Sequence, residues 1–62
     1  MKYRIANWGI WGTYQDTLAD AERLAAYIAQ KQRDSGCIDR HATVRILRDD
    51  DTVAVRVRVW PS

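Results

Sequence analysis

Val53-Ala54-Val55-Arg56-Val57-Arg58-Val59-Trp60 reads as a β-strand with one dry face and one wet face. Every odd position is valine, and the even positions hold Ala54, Arg56, Arg58 and Trp60. Successive side chains on a strand point to opposite faces, so a period of two in hydrophobicity marks a segment with one face on a core and the other in water. The wet face here carries guanidinium and indole, which suits binding to a surface better than it suits bond-making chemistry.

Moving back along the chain, Asp49-Asp50-Asp51 is a turn, and a second strand runs from about His41 to Arg48. Ala42, Val44 and Ile46 take its core side; His41, Thr43, Arg45 and Leu47 face outward. A two-residue loop at Asp49-Asp50 would set Ile46 across from Val53 and Val44 across from Val55. A four-residue loop keeps the same parity, so the facing of the valines is better determined than their register. Further back, Leu18, Ala21, Leu24, Ala25, Ile28 and Ala29 fall at helical spacing. This helix starts near Asp16 or Thr17, where Thr17 and Asp20 have capping-box spacing. Acids Asp16, Asp20 and Glu22 sit at its positive end, Lys31 and Arg33 at its negative end, and Gly36 suits a left-handed C-cap. A first strand covers Lys2 to about Trp8, with Tyr3 and Ile5 inward, and leads into the loop Gly9-Ile10-Trp11-Gly12-Thr13-Tyr14.

The order is therefore β-α-β-β in one domain spanning residues 1–62. One helix can cover only one face of a three-stranded sheet, which predicts an α+β fold of two layers. The third strand has the most continuous apolar face and is expected in the centre. The expected core is Tyr3, Ile5, Leu18, Ala21, Leu24, Ala25, Ile28, Val44, Ile46, Val53, Val55, Val57 and Val59. Lys2, Arg4, Thr43, Arg45, Arg56, Arg58 and Trp60 then share the open face.

The chain has 62 residues, 47% of them hydrophobic, so it holds one small core and is not disordered. A lone cysteine, Cys37, points to a reducing compartment. No apolar run approaches the roughly 20 residues of a membrane helix, and the polar start resembles no secretory signal. The expected location is cytoplasmic, without membrane contact. The formal charge is only +2, but its distribution is uneven: eight of the ten bases are arginine, and the strands carry almost no acid.

Candidate chemistry is sparse. Cys37 and His41, four residues apart, lack a positioned third group and an oxyanion site, and read more simply as a small apolar residue near the helix end and the residue that opens a strand. The three aspartates lack the alternating ligands, glycine bend and distal glutamate of a calcium loop, and read as a solvated turn. No enzymatic role, metal or cofactor is expected. Two surfaces remain. Arg4, Arg45, Arg56 and Arg58, with Trp60 beside them, combine positive charge with an aromatic plane, as sheets that bind single-stranded nucleic acid do. Such sheets stack bases on aromatics in the middle of central strands, whereas the aromatics here lie at the margins, which favours a protein partner over nucleic acid. Trp8, Trp11 and Tyr14 form the second surface; one is expected to close the core and the others to anchor a partner. Uncovered edges and a small core also predict self-association, most simply a homodimer, by strand-to-strand or face-to-face pairing.

A chain of this size and element order, opening Met1-Lys2-Tyr3-Arg4-Ile5 and carrying the helix Thr17-Leu18-Ala19-Asp20-Ala21-Glu22-Arg23-Leu24-Ala25, resembles the small accessory proteins of phages and mobile elements, anti-CRISPR proteins among them. The resemblance spans the chain at the level of size and pattern, and no motif carries it. It implies a non-catalytic, stoichiometric inhibitor that binds a subunit of a host defence nuclease complex in the bacterial cytoplasm. Many such inhibitors are acidic mimics of nucleic acid. A mildly basic chain fits binding to an acidic protein patch better. Dodecins share the β-α-β-β order, but their flavin site uses a mid-chain tryptophan, and none occurs between Trp11 and Trp60.

Overall fold

The computed structural model describes residues 2–6 and 14–60. It contains β1 (Tyr3–Ile5), α1 (Leu18–Asp34), β2 (Thr43–Arg48) and β3 (Val53–Arg58). The strands form one antiparallel sheet and α1 packs against one of its faces, giving the expected two-layer α+β arrangement.

The β2–β3 hairpin reaches its expected facing by an unexpected route. Its loop is neither two nor four residues but three, Asp49 to Asp51. The Asp51 amide donates to the Arg48 carbonyl (3.0 Å), and the Arg48 amide donates to the Thr52 carbonyl (2.8 Å). Asp51 closes the loop in the left-handed region, at φ 69°, which aspartate tolerates better than most residues. An odd loop shifts the parity of β3 by one, so Leu47 pairs with Val53. The register then slips between Ile46 and Leu47. Ala54 has no partner, and beyond it Ile46 pairs with Val55 and Val44 with Val57. This bulge restores the parity that turns Val55 and Val57 toward the helix. Val53 lies before the correction. It is half-buried across from Leu47 and does not pack against the helix-side core, where it had been expected.

The sheet order is β1-β2-β3, so β2 is central and β3 is an edge, contrary to the order expected from the valine run. The physical reason lies in Ile46-Leu47. A strand flanked on both sides buries residues on both faces, and these two neighbours are both buried, Leu47 at 8% exposure on the face away from the helix. A long alternation of valine with arginine marks one wet face, which an edge strand satisfies equally well. Among the described residues β1 covers Tyr3–Ile5; the expected extension to Trp8 lies outside them. Gln15 pairs antiparallel with Tyr3 through two backbone bonds (2.9 and 2.7 Å). The chain thus returns along the outer edge of β1 before the helix begins, and this extra reversal lets β1 and β2 run antiparallel.

Helix α1 forms where the periodicity predicts it. Thr17 is the N-cap, and its hydroxyl accepts the Asp20 amide (3.1 Å). At the other end the Cys37 amide donates to Gln32 O (3.0 Å) and the Gly36 amide to Arg33 O (3.1 Å), with Gly36 at φ 89°. These paired bonds are a Schellman cap, which requires the left-handed backbone that glycine adopts without strain. Ala21, Ala25 and Ala29 lie in line and are buried, which lets the helix backbone approach the sheet closely. With Ile28 they pack on Ile5, Val44, Ile46 and Val59, while Tyr3, Leu18, Leu24, Val55 and Val57 line the rim.

Position in the sheet predicts unequal costs for one chemical change. Val44→Ala empties a site with 0% exposure on the central strand and is expected to cost about 2–3 kcal/mol from lost transfer energy plus a cavity. Val55→Ala on the half-covered edge is expected to cost roughly half as much. Urea denaturation of the two variants checks this; equal losses would return β3 to the centre.

Candidate binding surface

The helix-free face of the sheet can be read row by row, because cross-strand partners share a face. Thr43 stands across from Arg58 and Arg45 across from Arg56. In the next row Arg4 stands across from Leu47, and Leu47 across from Val53. The Tyr3–Gln15 pairing places Tyr14 beside Arg4 at the outer end of this row. Lys2 shares the parity of Arg4. The structure thus brings together Arg4, Arg45, Arg56, Arg58 and Tyr14 from the expected site residues. Arg45, Arg56 and Arg58 are exposed, and Tyr14 is 52% exposed.

The Arg45–Arg56 pair puts like charges directly across a ladder, an arrangement that costs stability. The neighbouring row is organised differently. Arg4 reaches past Leu47 to form an ion pair with Asp51 in the β2–β3 loop. The hydrogen bond to Asp51 is the main reason the Arg4 pKa rises above its already high ordinary value. A long arginine stem covers apolar surface while its head stays wet, and Leu47 is the apolar group beside it. The acidic loop is also braced internally. The Asp50 carboxylate accepts the Thr52 hydroxyl (2.6 Å) and the Thr52 amide (3.1 Å). These two bonds, the hydroxyl first, hold the Asp50 pKa below its ordinary 3.8. Arg48 ties the same loop to β3 by donating to Thr52 Oγ1 (3.1 Å) and to the Val53 carbonyl (2.9 Å).

Trp60 does not belong to this face, and that expectation is corrected. Strand β3 ends at Arg58, and the chain bends at Val59 and Trp60. The Val59 amide bonds the Ala42 carbonyl (3.0 Å) and its own carbonyl accepts Arg33 Nη1. The bend swings the indole onto the core rim, where Nε1 donates to the Cys37 carbonyl (2.8 Å). The Arg40 guanidinium covers the ring at 4.8 Å from its centroid. Trp60 therefore fastens the C-terminal end of the chain to the loop after α1. Trp8 and Trp11 lie outside the described residues.

Cys37 sits at the rim of the core and lines an open hollow of about 360 Å³ with Gln32, Ser35 and Gly36, at the C-terminal end of α1. His41 is exposed, and its backbone amide bonds Asp39 Oδ1 (2.9 Å), so Asp39 serves the turn between them. Among the described residues no cluster of His, Cys, Asp and Glu is placed to hold a metal ion. Sequence reasoning turned Leu47 outward but assigned Val53 to the core, and so missed that the two form the apolar centre of the open face. The signal was the Ile46-Leu47 doublet, which only a strand buried on both faces needs. It also missed the role of Arg40, for which the sequence offers no signal.

No protein-family model, curated protein or solved structure matches this chain. Among the described residues no helix is long and apolar enough to cross a membrane.

The brace around Asp50 has a sign in its pH dependence. Its folded pKa is depressed, so the stability it contributes is present above the unfolded value and is lost as pH falls through the folded one, that is, below 3.8. Carboxyl NMR titration is expected to place Asp50 below 3.8. Thr52→Val is expected to move the midpoint upward, because the hydroxyl bond is the largest cause of the shift. An unchanged midpoint would show that the hydroxyl bond does not form in solution.

Proposed function

We propose that this chain is a non-catalytic binding protein that presents the helix-free face of its sheet to an acidic surface on a protein partner. The observation that carries the reading is the Arg45–Arg56 pair, with Arg58 in the next row and Arg4 in the row before. Guanidiniums from two neighbouring strands gathered on one face complement an anionic surface and speed its encounter. The centre of the same face supports protein over nucleic acid: it holds Leu47 and Val53, and the only described aromatic on it, Tyr14, stands at the margin. Apolar groups ringed by arginine are suited to a protein interface, while base recognition by a sheet needs stacking planes in its middle. The narrower reading is that the partner is a subunit of a CRISPR-type nuclease complex which the chain inhibits stoichiometrically. It rests on the pattern-level resemblance alone.

Capture from a bacterial lysate, with and without nuclease, tests both levels. A partner retained after nuclease treatment is expected. Binding to it should weaken less than tenfold between 50 and 200 mM salt, whereas four arginine–phosphate contacts would weaken it by about 100-fold. Loss of the partner on nuclease treatment would favour the competing reading, a small nucleic-acid-binding domain using the same arginines. Recovery of a nuclease subunit would carry the inhibitor reading; recovery of an unrelated protein would end it.

Arg56→Glu separates binding from folding. It turns the like-charged pair with Arg45 into an opposite-charged one, so stability is expected to hold or rise by about 0.5 kcal/mol. Partner affinity is expected to drop at least about tenfold, or ~1.4 kcal/mol. Cys37→Ala with His41→Ala is expected to leave binding intact, as a non-catalytic role requires.

A further inference from the structure

We infer that the C-terminal end of α1 is the site of self-association, where Ile38 of each copy of the chain enters the hollow beside Cys37 of the other about a two-fold axis. This inference does not depend on what the arginine face binds. Three observations point to it.

The first is Ile38 itself, which is 90% exposed. A lone apolar side chain on a protein surface is ordinary, but this one stands on backbone that is held from both sides. On one side the Cys37 amide donates to Gln32 O (3.0 Å), and the Cys37 carbonyl accepts Trp60 Nε1 (2.8 Å). On the other side the Asp39 carbonyl accepts the Ala42 amide (3.3 Å), and Asp39 Oδ1 accepts the His41 amide (2.9 Å). Arg40 closes the loop by lying over the Trp60 ring. These contacts brace the loop while Ile38 stays outside the core. An apolar anchor on fixed backbone has less ordering to pay for when it docks.

The second is the hollow next to it. Gln32, Ser35, Gly36 and Cys37 line about 360 Å³ at the end of α1. A Cβ placed on Gly36 would meet no atom within 4 Å, so the space over that residue is open. The exposure of Ile38 shows that it does not fill the hollow of its own chain. The volume stands at the lower end of sites that take small molecules, and a branched four-carbon side chain fits within it. A two-fold interface uses one patch twice, so the patch must carry a projection and a recess side by side. Ile38 and Cys37 are consecutive, which gives this patch both.

The third is charge. The exposed charged residues between positions 31 and 40 are Lys31, Asp34, Asp39 and Arg40, two of each sign. A balanced patch meets its own copy without net repulsion. Lys31 and Arg33 in the last turn offset the negative end of the helix, so two such ends are tolerated as neighbours.

The test is mass and thiol reactivity. One anchor per copy makes an interface below the roughly 1,200 Å² of stable complexes, so sedimentation velocity from roughly 10 μM to 1 mM is expected to show monomer giving way to dimer. Ile38→Asp is expected to stay monomeric throughout, with an unchanged thermal midpoint because the side chain lies outside the core. Should that variant lose its fold, Ile38→Ser carries the same expectation. Ser35→Arg fills the hollow from its own wall, with a charge that suits a helix C-terminus, and is also expected to be monomeric. Cys37 reports the contact directly. Its reaction rate with an aromatic disulfide reagent is expected to fall about threefold or more across the concentration range in the unsubstituted chain, and to stay constant in Ile38→Asp. A monomer mass throughout the range would overturn the inference. So would a dimer that survives Ile38→Asp, or one that leaves Cys37 as reactive as in the monomer.

Discussion

The facing of β3 depends on two compensating irregularities, and most of the molecule depends on the facing of β3. A loop of three residues would turn Val55, Val57 and Val59 to solvent and Arg56 and Arg58 onto the helix. The unpaired Ala54 reverses that error after only two residues, Thr52 and Val53. Burying two guanidiniums against Ala21, Ala25 and Ile28 would cost several kcal/mol each, far beyond the stability of a domain this small. The loop and bulge are therefore selected together. Asp51 accepts the left-handed conformation the loop needs, Thr52 and Arg48 brace it, and Ala54 is small enough to sit unpaired. The valine pattern then enforces the outcome, since only the corrected register buries it.

A second constraint holds the opposite end of the molecule. With three alanines and one isoleucine buried on its sheet side, α1 contributes less side-chain volume than the sheet, which supplies Ile5, Val44, Ile46 and, just past β3, Val59. Such a layer is thin at its margins. The chain fastens the C-terminal margin with bonds from the residues after β3: Val59 to Ala42, Arg33 to Val59, Trp60 to Cys37, and Arg40 over the indole. Trp60 is therefore spent on structure. Its place after the end of the strand explains why alternation misassigns it: the period of two applies only while the backbone stays extended.

What the sequence discloses follows from which interactions are local. The helix limits were legible because caps act within a few residues, Thr17 on Asp20 and Gly36 on Arg33. The membership of the arginine face was legible for Arg4, Arg45, Arg56 and Arg58, because parity within a strand needs no knowledge of partners. Strand order was not legible from the valine run, since an edge strand and a central strand with one wet face alternate alike. The loop length was hidden because two and four residues preserve parity while three needs a bulge elsewhere. The Arg4–Asp51 ion pair joins residues at opposite ends of the chain, and no local pattern announces it.

The same face shows how charge is distributed between holding and binding. Asp51 engages Arg4, so one guanidinium helps to close the hairpin and to shield Leu47. The acids of α1 lie on the far side of the sheet, and Asp50 is occupied by Thr52. The rows beyond Leu47 hold Arg45, Arg56 and Arg58 with no acid interleaved on their strands. An arrangement selected only for folding would alternate signs across β2 and β3, as cross-strand pairs favour. In a domain with a small core, arginines kept adjacent across β2 and β3 are an arrangement that cross-strand pairing energetics alone does not favour.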